Sequence, residues 1–180
     1  MEESFLRSGL TDLLNRLDTL GSQGVFVLGN PAIGKTVVLQ QLEVELQQRG
    51  QAVFVVRLRF LSDVDLTASI LSEIKEVMPD IVDVDRTIRV SGGLSVRQDA
   101  ATLNQIAESL QAPVLLLDGL DESRNPQRMA AAVEELSQVL DHWKLVVASR
   151  PVPGVELRRF PPGCRCRSSR TGLRERCRDG

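Results

Sequence analysis

The sequence predicts a three-layer α/β fold, in which a mostly parallel sheet has helices on both faces. Three observations predict it. Nearly continuous apolar runs, as expected of strands buried on both faces, occupy residues 24–28, 52–58, 114–118 and 145–148, and the third of them ends in an acid. Stretches with helical spacing of apolar residues alternate with these runs. Polar residues suited to binding follow several of the runs directly, where parallel sheets place their ligands.

The chain begins with a predicted amphipathic helix over residues 1–20. Its large apolar residues recur at helical spacing, and Gly21 is its predicted end. These residues are Phe5, Leu6, Leu10, Leu13, Leu14, Leu17 and Leu20. We expect this helix to pack on the sheet of its own chain, because such a stripe is typical of a helix that covers a core.

A glycine-rich stretch lies between the first strand and a predicted helix that Gly50 closes. Its residues are Gly29, Asn30, Pro31, Ala32, Ile33, Gly34, Lys35 and Thr36. The spacing and the strand–loop–helix context are those of a phosphate-binding loop, or P-loop. Backbone N–H groups of the loop and of the helix N-terminus would contact phosphate oxygens. We expect Lys35 to reach the β- and γ-phosphates and the Thr36 hydroxyl to bind Mg²⁺. The fold is therefore predicted to be that of a P-loop NTPase.

The middle of the chain contains two further helical patterns. One follows Asp65 and stops before Pro79, and the other runs from Val96 to Leu110. Between them, residues 79–94 are predicted to form a solvated loop, since their aspartates lack the ligand pattern of a calcium loop.

Acidic residues follow the third predicted strand. Asp118 ends the apolar run, and Gly119, Asp121 and Glu122 come after it. At this position Asp118 is expected to hold Mg²⁺, usually through water, while Thr36 holds it directly. Gly119 is expected to keep the backbone clear of the metal and the phosphates. Either Asp121 or Glu122 is expected to orient or deprotonate the attacking water, and the sequence leaves both open.

An arginine follows the fourth predicted strand, which comes after a helical pattern over residues 126–141. Arg150 is expected to contact the γ-phosphate, and either to stabilise charge in the transition state or to report hydrolysis. Gly29, Asp118 and Arg150 each lie just past a strand end, so we expect a phosphate cradle, a metal ligand and a cation in one crevice.

The acidic stretch from Val114 to Glu122 resembles the Walker B motif of NACHT domains, which belong to the STAND class of signal-transduction NTPases. Residues 145–151 are similar to their sensor 1 strand, with Arg150 as the sensor. Residues 29–36 resemble their P-loop (Walker A), with Ala32 where glycine is usual. The resemblance covers about residues 20–155. It implies ATP and Mg²⁺ as cofactors, slow hydrolysis, and a nucleotide switch that controls homo-oligomerisation of a larger signalling protein.

The C-terminal end departs from that pattern. Family members continue into helical and winged-helix subdomains, to which nothing here corresponds, so we expect residues 21–160 to be an incomplete NACHT-like domain of a fragment. Residues 152–160 are predicted to form a last short strand. Residues 161–180 contain six arginines, two acids and all three cysteines, and are predicted to be a basic, disordered tail.

Composition restricts the remaining classes of function. No stretch reaches membrane-spanning length and the N-terminus is acidic, so a cytoplasmic location without a membrane partner is expected. Aromatic residues make up only 3% and Tyr is absent, so surfaces for stacking bases are scarce and nucleic acid is not the expected partner. No guanine-specific Asn-Lys-x-Asp motif occurs, which favours ATP.

Three alternative functions are compatible with the P-loop at residues 29–36. Ser91-Gly92-Gly93 suggests an ABC-type transport ATPase, but Asp118 is not followed directly by glutamate, and Arg150 stands where a switch histidine would be. A small-molecule kinase would need an arginine-rich lid, which the sequence does not show. A catalytically silent nucleotide-binding scaffold is disfavoured by the complete set of acids at residues 118, 121 and 122.

Overall fold

The computed structural model describes residues 2–19, 24–29, 34–61, 66–79, 96–155 and 165–166. The helices within these ranges are α1 (Glu2–Thr19), α2 (Lys35–Gln48), α3 (Leu66–Val77), α4 (Val96–Leu110) and α5 (Pro126–Val139). The strands are β1 (Val25–Gly29), β2 (Val53–Arg57), β3 (Val114–Asp118), β4 (Lys144–Ser149) and β5 (Arg165–Cys166). Two short 3-10 helices, η1 (Leu58–Phe60) and η2 (Leu120–Glu122), follow β2 and β3 closely.

The described strands form one parallel sheet in the order β2-β3-β4-β1-β5. Strand β4 lies between β3 and β1, at the centre of this order. The register aligns Arg57 with Asp118 and Asp118 with Ala148, while Leu28 pairs with Ser149. The carboxyl ends of the four longer strands therefore lie at one edge of the sheet.

Hydrophobic side chains alternate between the two faces of the sheet, as the pleat of a strand requires. In β3, Leu115 and Leu117 pack into a core that α3, α4 and α5 cover. Val114 and Leu116 pack into a second core on the opposite face, which α1 and α2 cover. This arrangement confirms the predicted three-layer fold, with helices on both faces of a parallel sheet.

Local signals determine where the helix that follows the glycine-rich stretch ends. Helix α2 stops as predicted before Gly50, whose φ of 77° is in the left-handed region that glycine adopts readily. The N–H groups of Gly50 and Gln51 donate to the carbonyls of Gln47 and Leu46, and this pair of bonds is a Schellman motif.

The C-terminal segment differs from the prediction at two places. Residues 152–155 form a turn instead of a strand, because Pro151 and Pro153 lack an N–H to donate and Gly154 has a φ of 75°. Residues 156–160 lie outside the described part of the chain. Of residues 161–180, predicted to be a disordered tail, the structure describes only β5, whose backbone pairs with β1. The other residues of the tail lie outside the described part of the chain, so their disorder stays a prediction. Main-chain pairing at the open edge of β1 needs no apolar side-chain pattern, so the basic composition of the tail does not prevent it.

None of the helices in the described ranges is long and apolar enough to cross a membrane. The cytoplasmic location stays a prediction.

Candidate functional site

A cavity of about 380 Å³ opens at the carboxyl ends of β2, β3 and β4, beside the N-terminus of α2. Its size is within the range of small-molecule sites. Its lining residues among those described are Gly34, Lys35, Thr36, Arg57, Arg59, Asp118, Gly119, Asp121, Glu122 and Arg150. The cavity thus contains most of the site residues that the sequence predicts, together with two arginines that it does not.

The described residues of the glycine-rich stretch lie at the end of β1 and around the start of α2. Gly34 has a φ of 78° and precedes the first residue of α2, Lys35. The Lys35 ammonium group donates a hydrogen bond of 2.6 Å to the Gly29 carbonyl, so this side chain reaches back to the last residue of β1. Partial burial lowers the pKa of Lys35, and the acidic residues of the cavity oppose that change. The predicted residues Asn30, Pro31, Ala32 and Ile33 lie outside the described part of the chain.

A hydroxyl group and a carboxylate meet beside Lys35. The Thr36 hydroxyl donates to Asp118 Oδ2 at 3.2 Å, although the two residues are 82 positions apart. Burial raises the pKa of the Asp118 carboxyl, and the negative charge of Glu122 raises it further, while Thr36, Lys35 and Arg57 act in the opposite direction. The carboxylate form is therefore under-stabilised by its protein surroundings, as expected where a cation would bind.

The Thr36 hydroxyl and the Asp118 carboxylate suit Mg²⁺ better than they suit a metal whose ligands all come from the protein. No group of three or more histidine, cysteine or acidic residues suited to a metal occurs among the described residues. Mg²⁺ commonly takes only one or two protein oxygens and completes its coordination with water and phosphate oxygens. Thr36 and Asp118 provide such a pair.

A tight turn after β3 brings two further carboxylates to the cavity. Gly119 has a φ of 79°, which strains residues that have a Cβ. A Cβ at this position would lie 3.5 Å from Glu122 Oε2, an ordinary contact distance. Backbone conformation thus favours glycine at this position, and the expected need for space near the metal and the phosphates stays a prediction. The turn continues into η2, which carries Asp121 and Glu122.

Asp121 is held by the residues at the end of β4. Its Oδ1 accepts hydrogen bonds from the Arg150 N–H at 2.8 Å and from the Ser149 hydroxyl at 3.3 Å. Its Oδ2 lies 3.2 Å from Arg150 Nε, and the Asp121 side chain is only 9% exposed. Both carboxylate oxygens therefore have partners, and the contacts fix both the backbone and the guanidinium group of Arg150.

Glu122 has a different environment although it is the next residue. Its side chain is 44% exposed and it lines the cavity. Its contact with Arg150 Nη2, at 3.5 Å to Oε1, is longer than the contact between Arg150 Nε and Asp121. Of the two acids that the sequence left open, Glu122 is thus the one more accessible to water in the cavity.

The residues that sequence analysis missed lie mainly at the end of β2. Arg57 and Arg59 line the cavity, and Arg57 is the register partner of Asp118. The rule that identified Asp118 and Arg150, a charged residue at the end of an apolar strand, applies equally to Arg57. Ser149 was also missed, because its role depends on its contact with Asp121.

Comparisons with known proteins agree with this fold. The sequence profile of the NACHT domain matches residues 23–161. A search of curated proteins returned no significant relative. Among solved structures, the Walker-type ATPase PABY2304 of Pyrococcus abyssi is 16% identical with a TM-score of 0.54, and the alignment covers 79% of this chain and 44% of that one.

Two ORC structures are also similar. A Drosophila ORC structure bound to DNA is 18% identical with a TM-score of 0.56, over 86% of this chain and 79% of that one. ORC1 of Aeropyrum pernix in complex with DNA is 21% identical with a TM-score of 0.52, over 87% of this chain and 41% of that one. The alignments thus span less than half the length of the Pyrococcus and Aeropyrum proteins. Such identities show a shared fold alone, so the expectation that nucleic acid is not a partner stays a prediction.

The profile match covers most of the chain and includes both strand ends that provide Asp118 and Arg150. The chain belongs to the NACHT domain family, within the P-loop class of nucleotide-binding NTPases.

Proposed function

We propose that this chain binds ATP together with Mg²⁺ and hydrolyses it slowly, as the nucleotide-switch module of a signalling protein. The strongest support is the meeting of Lys35, Thr36, Asp118 and Arg150 in one cavity. These groups come from the N-terminus of α2 and from the ends of β3 and β4, and each has a distinct use in phosphoryl transfer.

In this proposal Lys35 and the N-terminal N–H groups of α2 bind the β- and γ-phosphates. Thr36 and Asp118 hold Mg²⁺, which would neutralise charge on the phosphates. Lys35 leaves its contact with the Gly29 carbonyl for a phosphate oxygen, and this exchange costs little because a bond between two charged groups replaces a bond to a neutral acceptor.

Hydrolysis is assigned to the residues after β3 and β4. Glu122 is accessible from the cavity and acts as the base that orients or deprotonates water. Arg150 contacts the γ-phosphate and stabilises charge in the transition state. Asp121 has both oxygens engaged with Arg150 and Ser149, so it acts as a positioning residue for Arg150.

Slow turnover and nucleotide-dependent homo-oligomerisation complete the proposal. The cavity is partly open to solvent, and closure that excludes water is one source of rate in enzymes of this kind. A neighbouring copy of the domain that covers this opening would raise the rate.

The test compares two lysines by calorimetry. Lys35→Ala removes the ammonium group nearest the phosphates, and ATP affinity in Mg²⁺ should fall roughly tenfold or more. Lys75→Ala is the matched control, because Lys75 lies in the last turn of α3 and does not line the cavity. Equal ATP affinity in the two variants and the wild type would contradict the phosphate-binding role of the glycine-rich stretch.

A further inference from the structure

Two arginines at the end of β2 have no role in the site as proposed above. Arg57 is the last residue of β2, and Arg59 lies in η1. Both side chains are exposed and both line the cavity that contains Lys35 and Asp118. We call these two residues the β2 arginine pair.

Strand register places the first of the pair beside the proposed metal ligand. Arg57 pairs with Asp118 in the parallel ladder between β2 and β3. Val55 of β2 and Leu116 of β3, each two residues earlier, pack on the face of the sheet that α1 and α2 cover. Because side chains alternate along strands, Arg57 and Asp118 project toward that same face.

The order of the strands limits which phosphate of a bound nucleotide the β2 arginine pair can contact. β2 lies three strands away from β1, which is roughly 14 Å at the usual spacing between strands. The glycine-rich stretch follows β1, and in the proposed binding mode a nucleotide held by Lys35 has its terminal phosphates beside the Mg²⁺ ligands Thr36 and Asp118. Its terminal phosphate is then the one within reach of long side chains from β2.

The charges of the cavity support the same assignment. Three carboxylates are among its described lining residues, and Arg150 is in contact with two of them, at Asp121 and Glu122. Without the β2 arginine pair, these carboxylates would outnumber the cations Lys35 and Arg150 in a site for a polyanion. With the pair, the described lining carries more positive than negative side chains.

The position of the pair is also fixed by the fold. Leu58, between the two arginines, is fully buried in the core that α3, α4 and α5 cover. η1 packs against η2, which carries Glu122. The backbone of the pair is therefore held at a set position relative to the proposed base.

We propose that the β2 arginine pair binds the terminal phosphate of a nucleoside triphosphate and makes the cavity distinguish a triphosphate from a diphosphate. The inference rests on the proposed nucleotide binding and adds the residues that set its specificity. Two guanidinium groups suit this role, because each can donate two parallel hydrogen bonds to phosphate oxygens.

The experiment measures the affinities of ADP and of an ATP analogue with a methylene group between the β- and γ-phosphates. The variant Arg57→Ala/Arg59→Ala is compared with the wild type in Mg²⁺. Arg124→Ala/Arg128→Ala is the matched control, because it removes the same charge from two exposed arginines that do not line the cavity. Melting temperatures check that each variant is folded, and Arg57→Lys/Arg59→Lys provides a milder change at the same positions.

The pair variant should bind the analogue roughly tenfold or more weakly and ADP less than about threefold more weakly. The control should change neither affinity. Equal losses for the two nucleotides, or no loss in the pair variant, would overturn the inference while leaving the proposed binding intact. A wild-type protein that binds neither nucleotide would overturn both.

Discussion

Among single residues, Lys35 and Asp118 stand out because burial disfavours the charged form of each side chain. Asp118 is partly buried, and that burial raises the pKa of its carboxyl. Burial likewise lowers the pKa of Lys35. Both shifts disfavour the charged form that the proposed function uses, and a bound Mg²⁺ and phosphate would compensate each of them.

Replacing Asp118 by Asn should therefore separate stability from binding. The pKa of Asp118 is higher in the folded chain than in the unfolded chain. The free energy of unfolding of the wild type therefore falls as the pH rises from the ordinary aspartate pKa to the raised one, and it stays lower above that pH. The Asn variant lacks this titration and should melt at a higher temperature at neutral pH without nucleotide. Its Mg²⁺-dependent ATP affinity should fall.

Scanning calorimetry and ATP titrations test both parts. Asp141→Asn is the control, because Asp141 is an exposed carboxylate that does not line the cavity. A lower melting temperature in Asp118→Asn, together with unchanged ATP affinity, would contradict the assignment.

The two acids of η2 should differ in their effect on hydrolysis. Glu122→Gln removes the proposed base, so it should slow hydrolysis while ATP still binds. Asp121→Asn weakens the hold on Arg150, so it should also slow hydrolysis, but it should cost little more in an Arg150→Ala background, where Glu122→Gln should still cost rate. Single-turnover rates of the single and double variants distinguish the two acids, and the opposite pattern would show that Asp121 is the base.

Among strands and helices, an element was predictable when its pattern of apolar residues matched the faces that it buries in the fold. The apolar run ending in Asp118 is buried on both faces of the sheet, as its composition indicates. β5 was not predictable, because it depends on the open edge of β1 and has no hydrophobic pattern of its own. The contacts between Asp121 and Arg150 were also beyond the sequence, since they require the register of β3 against β4.

Removal of residues 161–180 tests how much β5 contributes. Two residues of backbone pairing add few hydrogen bonds, so the melting temperature and ATP affinity should change little. Circular dichroism on the shortened chain measures the first and calorimetry the second. A drop of more than about 4 °C would show that the tail stabilises the domain by more than about 1 kcal/mol.

Across the molecule as a whole, the fold brings residues that are distant in sequence to one edge of the sheet. Thr36 and Asp118 are 82 positions apart, and Arg150 and Asp121 are 29 apart, yet each pair is in hydrogen-bond contact. The parallel direction of the predicted strands was enough to predict that these groups would converge. Their individual partners depended on the register between strands and on the turn at Gly119.

Every role assigned to this cavity depends on its binding ATP together with Mg²⁺. A calorimetric titration of the wild-type protein with ATP, carried out with Mg²⁺ and again with a chelator, tests that requirement without any substitution. We predict saturable one-to-one binding with Mg²⁺ and an affinity roughly tenfold or more weaker without it, because the metal would screen Asp118 from the phosphates. No detectable binding in Mg²⁺, or the same affinity with the chelator, would contradict the proposed function.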